Sequence, residues 1–350
     1  MLKEVIAVLT ERQLLILEAV IRNYTESGQP IGSKTLQQQL PVHVSSATIR
    51  NEMAVLEQQG YIAKEHSSSG RIPSLKGYRY YVDNIVQPVK LDNTALHSIR
   101  NSLGTEFQKV DEIVATSAKI LSDLTSYTAI SFKPEAKDIC LEGFRMVELG
   151  NQQVMVILVT SDGTVESQTF TIPAGISGNE LEAVIRLIND KVVGLPLNQV
   201  IVRLNECLPL LTRYLHQPEG FIDVFGNVLH QAVKEQVYVG GKMNLLDFSK
   251  DASLEQIKSL YSLVDQSNGI GNLLNASQQS EISIKLGDEL PGIFLQNYSL
   301  ISASFDDGNN GRGTIAILGP TNMPYSKMLG LISGFRDELT QRITDYYQKF

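Results

Sequence analysis

The stretch from Ser45 to Asp83, SSATIRNEMAVLEQQGYIAKEHSSSGRIPSLKGYRYYVD, leaves few folds open to the chain that carries it. It reads as a short amphipathic helix, a strand, a loop of small residues ending in Gly70-Arg71, and a second helix. At about 100° per residue, Ile49, Met53 and Leu56 share one narrow arc, which must face a core. The opposite arc carries Ala47, Asn51, Ala54 and Gln58, with Thr48 and Arg50 on its flanks. Arg and Asn form bidentate pairs with base edges, and hydroxyls reach phosphates, so this face suits a major groove. A plain solvated helix face has a similar composition, and the neighbouring elements decide between the two.

Upstream, Thr10-Glu11-Arg12-Gln13 is a capping box, and Leu14, Leu17, Val20 and Tyr24 follow at helical spacing until Ser27-Gly28. Pro30 to Ser33 opens a short helix through about Gln39; residues 40–44 make a turn, and Ser45 or Ser46 caps the third helix. Helix, short helix, turn, helix is the helix-turn-helix order, with the third helix in the reading position. Gly60 closes that helix, Tyr61–His66 is strand-like, and Pro73 confines the return strand to an edge. A hairpin in this place is the wing of a winged helix, and Arg71 at its tip is expected to probe a minor groove. Ser74 caps a further helix to about Val86, with Tyr78, Val82 and Ile85 on one side, and Gln87-Pro88 reads as a linker.

Beyond the linker the pattern changes. Residues 92–126 are helical, and four strand-like segments follow between Ala129 and Ile172, with an Asp162-Gly163 hairpin turn. A helix spans 180–193; residues 195–279 are mainly helical apart from a strand at Val237–Gly241. The sheet pattern resumes at 282–286, 300–305 and 313–318, with residues 306–311 as a hairpin loop, and an amphipathic helix closes the chain at 325–347. A sheet interrupted by a helical block and then completed predicts an insertion within an α+β domain.

Charge restricts where a polyanion can bind. The chain carries −8 overall, but residues 1–88 hold nine Lys+Arg against eight Asp+Glu and the remainder carries −9. Contact with nucleic acid is therefore expected through the N-terminal segment alone. Cys140 and Cys207 are far apart in apolar surroundings, which predicts free thiols in a reducing compartment. The N-terminus reads as no signal peptide and no run spans a membrane, so a cytoplasmic protein is expected. Catalytic signatures are missing: Gly240-Gly241-Lys242 lacks the Walker spacing, GxSxG, HExxH and CxxC do not occur, and the five histidines are scattered. No enzyme activity, metal or cofactor is expected.

Several blocks together resemble a known family. SSATIRNEM at 45–53, HSSSGRI at 66–72 with Pro73, and GYRYYVD at 77–83 are similar to the N-terminal signature of the heat-inducible transcription repressor HrcA family. VYVGGKMNLL at 237–246, GTIAILGP at 313–320 and Tyr325-Ser326-Lys327 continue the resemblance along nearly the whole chain. Glu52 and Ser67 stand where family members often carry Asp and Thr. The resemblance implies a winged helix (1–88), a GAF-like domain in two parts (89–194 and 280–350), and a mainly helical dimerisation domain inserted between them (195–279). It also implies a homodimer that represses chaperone operons at an inverted-repeat operator called CIRCE, kept active by the GroE chaperonin. On this reading Thr48, Arg50 and Asn51 contact bases or nearby phosphates; Ser33, Lys34, Ser46 and Lys64 hold the DNA backbone; and Arg71 enters the minor groove. The alternative is a winged-helix regulator that senses a small molecule through the GAF-like domain.

Overall fold

A computed structural model of the chain describes residues 9–64, 70–104, 110–132, 139–161, 165–171, 178–211, 237–248, 253–265, 274, 281–306 and 312–348. The expected wing tip (65–69), Phe107, and the turns at 162–163 and 307–311 lie outside these residues.

The N-terminal unit comprises α1 (Glu11–Ser27), α2 (Ser33–Gln39), α3 (Ser46–Gln58), the hairpin β1 (Ile62–Lys64) and β2 (Arg71–Pro73), and α4 (Leu75–Asn84). Local chemistry sets each boundary. Thr10 and Gln13 form the capping box, and Gly28 ends α1 in the left-handed conformation. Ser45, rather than Ser46, caps α3, and Ser74 caps α4. Ile49, Met53 and Leu56 are buried against Ile16, Leu17, Val20 and Leu36 in one cluster. Each such side chain contributes about 1.5–3 kcal/mol, so three of them anchor a helix of thirteen residues firmly.

Residues 92–126 form two helices rather than one continuous run: α5 (Asn93–Ser102) and α6 (Val110–Thr125). Five antiparallel strands then build the main sheet, in spatial order β7 (Val237–Gly240), β3 (Thr128–Phe132), β10 (Arg312–Pro320), β9 (Tyr298–Asp306), β8 (Ile282–Leu286). The central strands are buried on both faces. Ile301, Ala303, Phe305, Ile315 and Ile317 point to α6 and the long terminal helix, α12 (Tyr325–Gln348). Tyr298, Leu300, Ala316 and Leu318 point the other way, toward the short helix α10 (Asn244–Asp247), α11 (Leu254–Asp265) and the turns near Leu290 and Leu295.

A second sheet is a meander of β4 (Leu141–Gly150), β5 (Gln153–Thr160) and β6 (Val165–Thr171). It packs Phe144, Val154, Val156 and Leu158 on α7 (Gly178–Val192) and α8 (Leu197–Glu206), and a short turn of helix, α9 (Leu208–Leu211), follows. Asn189 of α7 fastens the two layers: its amide donates to the Phe144 carbonyl (2.8 Å) and accepts from the Phe144 N–H (3.1 Å).

Here the structure corrects the expected boundaries. The excursion from the main sheet runs from the end of β3 at 132 to the start of β7 at 237, not over 195–279. β7 falls inside the expected insertion yet pairs with β3, whereas β4 to β6, expected in the same sheet as β3, form their own. The physical difference is burial: β6 alternates exposed and partly exposed residues while β3 is buried throughout.

Gly240 of VYVGGKMNLL is also explained. A Cβ on Gly240 would lie 2.3 Å from the Ala118 carbonyl oxygen, so β7 approaches the α6 backbone more closely than any side chain permits. This is packing, not phosphate binding. Gly240→Ala should therefore lower stability by about 1–3 kcal/mol. Gly143→Ala, with open space around the new methyl, should change it little. Urea unfolding of the two variants beside the wild type checks both expectations.

Candidate nucleic-acid interface

The candidate face is assembled by α2, α3 and the hairpin. The turn between α2 and α3 is pinned by Gln37, whose Nε2 donates to the Val44 carbonyl (3.0 Å). The first turn of α3 is fixed by Ser45, whose Oγ accepts from the Thr48 N–H (3.1 Å) and shares a hydrogen bond with the Thr48 hydroxyl (2.9 Å). Thr48 is half-buried in that cap, and Ser46 is half-buried beside it. Arg50 and Asn51 project outward, exposed, and among the described residues neither side chain is taken up by a hydrogen bond or ion pair. Lys34 on α2 and Lys64 at the end of β1 are exposed as well.

Both carboxylates of α3 are occupied on its inner flank. Glu52 accepts from Arg12 (2.8 Å to Nε, 2.7 Å to Nη2) and from the Gln13 side chain (3.0 Å). Glu57 takes Arg71 through two nitrogens (2.9 Å to Nε, 2.6 Å to Nη2) and Lys64 at 3.4 Å. The acidic charge of α3 is thus compensated away from the outer face, where among the described residues Arg50 stands as an unpaired cation. Such an arrangement attracts phosphates while leaving a guanidinium free to fork onto a base edge.

Two of the eight residues singled out in the sequence are placed elsewhere than expected. Arg71 is not at the wing tip: it is the first residue of β2, paired with Lys64, and its side chain is only 17% exposed against Glu57. Its backbone exchanges hydrogen bonds with Ile31 (2.8 and 3.0 Å), tying the hairpin to the start of α2. Gly70 allows that contact, since a Cβ there would meet the Ile31 backbone at 2.5 Å. Ser33, expected to hold phosphate, is 9% exposed in the first turn of α2. The remaining six, Lys34, Ser46, Thr48, Arg50, Asn51 and Lys64, lie on α2, α3 and β1 with part or all of each residue accessible. Sequence inspection gave no role to Glu52 and Glu57. Their partners are tertiary, Arg12 being 40 residues from Glu52, although a negative charge on an otherwise DNA-like helix was itself a signal.

Among the described residues no cluster of His, Cys, Asp or Glu suits a metal ion, and no helix is long and apolar enough to cross a membrane. A polar cleft of about 720 Å³ lies between α5 and α12. Its Arg100 is already forked onto Glu338 (2.8 and 2.7 Å).

Known proteins are similar to this chain along nearly its full length. The family described as HrcA protein C terminal domain matches residues 111–329. A protein of Ligilactobacillus salivarius named heat-inducible transcription repressor HrcA is 63% identical over 347 residues, covering 98% of this chain and 99% of its own. The protein of that name from Limosilactobacillus reuteri is 51% identical over 98% of this chain and 99% of its own, and that of Enterococcus faecalis 49% over 97% and 99%. A crystal structure titled as a hypothetical protein covers 97% of this chain and 99% of its own with a TM-score of 0.62 at 21% identity, and so shares the fold. The relatives are named for repression rather than for catalysis, and the chain belongs to the HrcA family of heat-inducible transcription repressors.

Proposed function

We propose that this repressor works in the cytoplasm as a homodimer, silencing heat-shock chaperone operons at an inverted-repeat operator of the CIRCE type. The N-terminal unit serves as a winged helix-turn-helix, with α3 in the major groove of one operator arm. The observation that carries this reading is the outer face of α3, where Arg50 and Asn51 stand exposed while Glu52 and Glu57 are neutralised behind them. Thr48 joins them at the helix N-terminus, and Ser46, Lys34 and Lys64 flank the groove as phosphate contacts. Ser33 and Arg71 act indirectly, Ser33 in the first turn of α2 and Arg71 through Glu57 in the hairpin.

The main sheet with α5, α6 and α12 corresponds to the GAF-like body, and the β4–β6 module with α7 and α8 to the dimerisation insertion. Exposed Val147, Leu149, Val165, Ile201 and Val202 on that module support the second assignment, because a second copy would take such apolar surface out of water. Two-fold symmetry then matches the two arms of the operator. Heat control follows from the family. Unfolded clients draw the chaperonin away on heating, and the repressor, no longer restored to its binding form, releases the operon.

Binding of labelled operator and scrambled duplex at several salt concentrations tests the core of this reading. Tight, operator-selective binding supports it; equal weak binding that disappears with salt is phosphate attraction alone and sinks it. Arg50→Ala or Asn51→Ala should cost about 1–3 kcal/mol and relax preference at one operator position. A loss shared evenly by all sequences makes that residue a phosphate contact. Ile201→Asp with Val202→Asp should yield monomers in sedimentation velocity and weaken full-operator binding; an unchanged dimer removes the module from that role. Chaperonin should restore operator binding to repressor exposed to a heat pulse, and equal recovery without chaperonin ends the titration scheme.

A further inference from the structure

Two signature blocks have no place on the DNA-facing surface: GYRYYVD at 77–83 and Tyr325-Ser326-Lys327, about 240 residues later. The fold brings them together. Tyr78 of α4 and Tyr325 of α12 are both buried, with ring centroids 6.0 Å apart. Burial pushes both phenols above their ordinary range, and the Tyr325 hydroxyl donates to the Thr321 carbonyl (2.7 Å) with Ser299 beside it at 2.8 Å.

Arg79 crosses between the two parts of the molecule. Its Nε and Nη2 fork onto Asp83 of its own helix (3.0 and 2.6 Å), which fixes its direction. Its Nη1 donates to the Ile284 carbonyl of β8 (2.9 Å) and pairs with Glu289 (3.0 Å). Glu289 is held in turn by the Leu286 N–H (2.9 Å). Among the described residues β8 is an edge strand, so Arg79 satisfies an acceptor that no described strand takes.

A second fastening holds the connecting segment, which the sequence marks only as a linker. The Val89 N–H donates to the Ser326 carbonyl (3.0 Å), and the Ser326 hydroxyl donates to the Gln87 carbonyl. Gly330 gives the segment its bed: a Cβ there would stand 2.1 Å from the Val89 carbonyl oxygen. A tether that left the N-terminal unit free to swing would need neither fastening.

We infer that this joint fixes the angle of the DNA-reading unit on the body, and thereby sets the spacing of operator arms that the dimer accepts. Arg79 and Glu289 are its positioning residues. The inference rests on the proposed function, in that two reading units must engage one inverted repeat. Rigidly held units reward only the spacing they match; loosened units bind each arm almost independently and tolerate many spacings, at lower affinity for the matched one.

The test uses full-length protein and operators whose spacer changes in single-base-pair steps over roughly one helical turn, about 10 base pairs. Arg79→Ala and Glu289→Gln remove opposite sides of the same bridge, and circular dichroism melts confirm that each variant is folded. Wild type should vary at least about tenfold in affinity across the series, while the variants should flatten to within about threefold and bind a single-arm duplex as wild type does. Hydrogen exchange gives a readout free of DNA: the Val89 amide should lose protection in Arg79→Ala while the core amide of Ile315 keeps it. An unchanged spacing profile, or a Val89 amide that stays protected, overturns the joint. If wild type itself ignores the inverted repeat while the Val89 amide responds as expected, the operator reading fails and the mechanical coupling stands.

Discussion

A sheet buried on both faces has to be covered twice, and most of this architecture follows from that requirement. Strand β10 shows the demand plainly, with seven consecutive buried residues from Gly313 to Gly319. Helices α6 and α12 cover one face, and segments that return after a long excursion cover the other. The covering of the first face does not stop at the sheet: Tyr78 and Val82 of α4, and Ile85 just after it, belong to the same apolar cluster as Ile332, Phe335 and Leu339 of α12. The N-terminal unit is thus joined to the body by shared core, and polar bridges such as Arg79 refine a contact that burial already favours.

The same economy governs the interface on α3. One stripe of the helix is used for burial, the flanking carboxylates for ion pairs to α1 and the hairpin, and the remaining face leaves Arg50 and Asn51 exposed. Arg71, read from the sequence as a wing-tip residue, is instead a structural tie. Held by Glu57 and by the Ile31 backbone, it ties the hairpin to α3 and to the start of α2.

Caps and stripes made the local elements legible. Thr10 with Gln13, Ser45 and Ser74 each start a helix that their spacing announced, because a cap is settled within about one turn of chain. Strand partnership was not legible. The apolar run of β5 looks much like that of β3, yet one lies in a sheet covered on a single face and the other in a sheet covered on two. Only the elements that close over a strand decide which sheet it joins.

By itself, then, the sequence determined the capped starts of the N-terminal helices, the separation of a near-neutral N-terminal segment from an acidic body, and the residue types offered on α3. These depend on interactions within a few residues of one another or on simple composition. Tertiary structure alone decided that the excursion begins at 132 and ends at 237, that Glu57 claims Arg71, and that Arg79 spans 210 residues of chain to reach Glu289. Each of those joins groups far apart in the chain, and their meeting depends on how apolar faces stack, which no local pattern encodes.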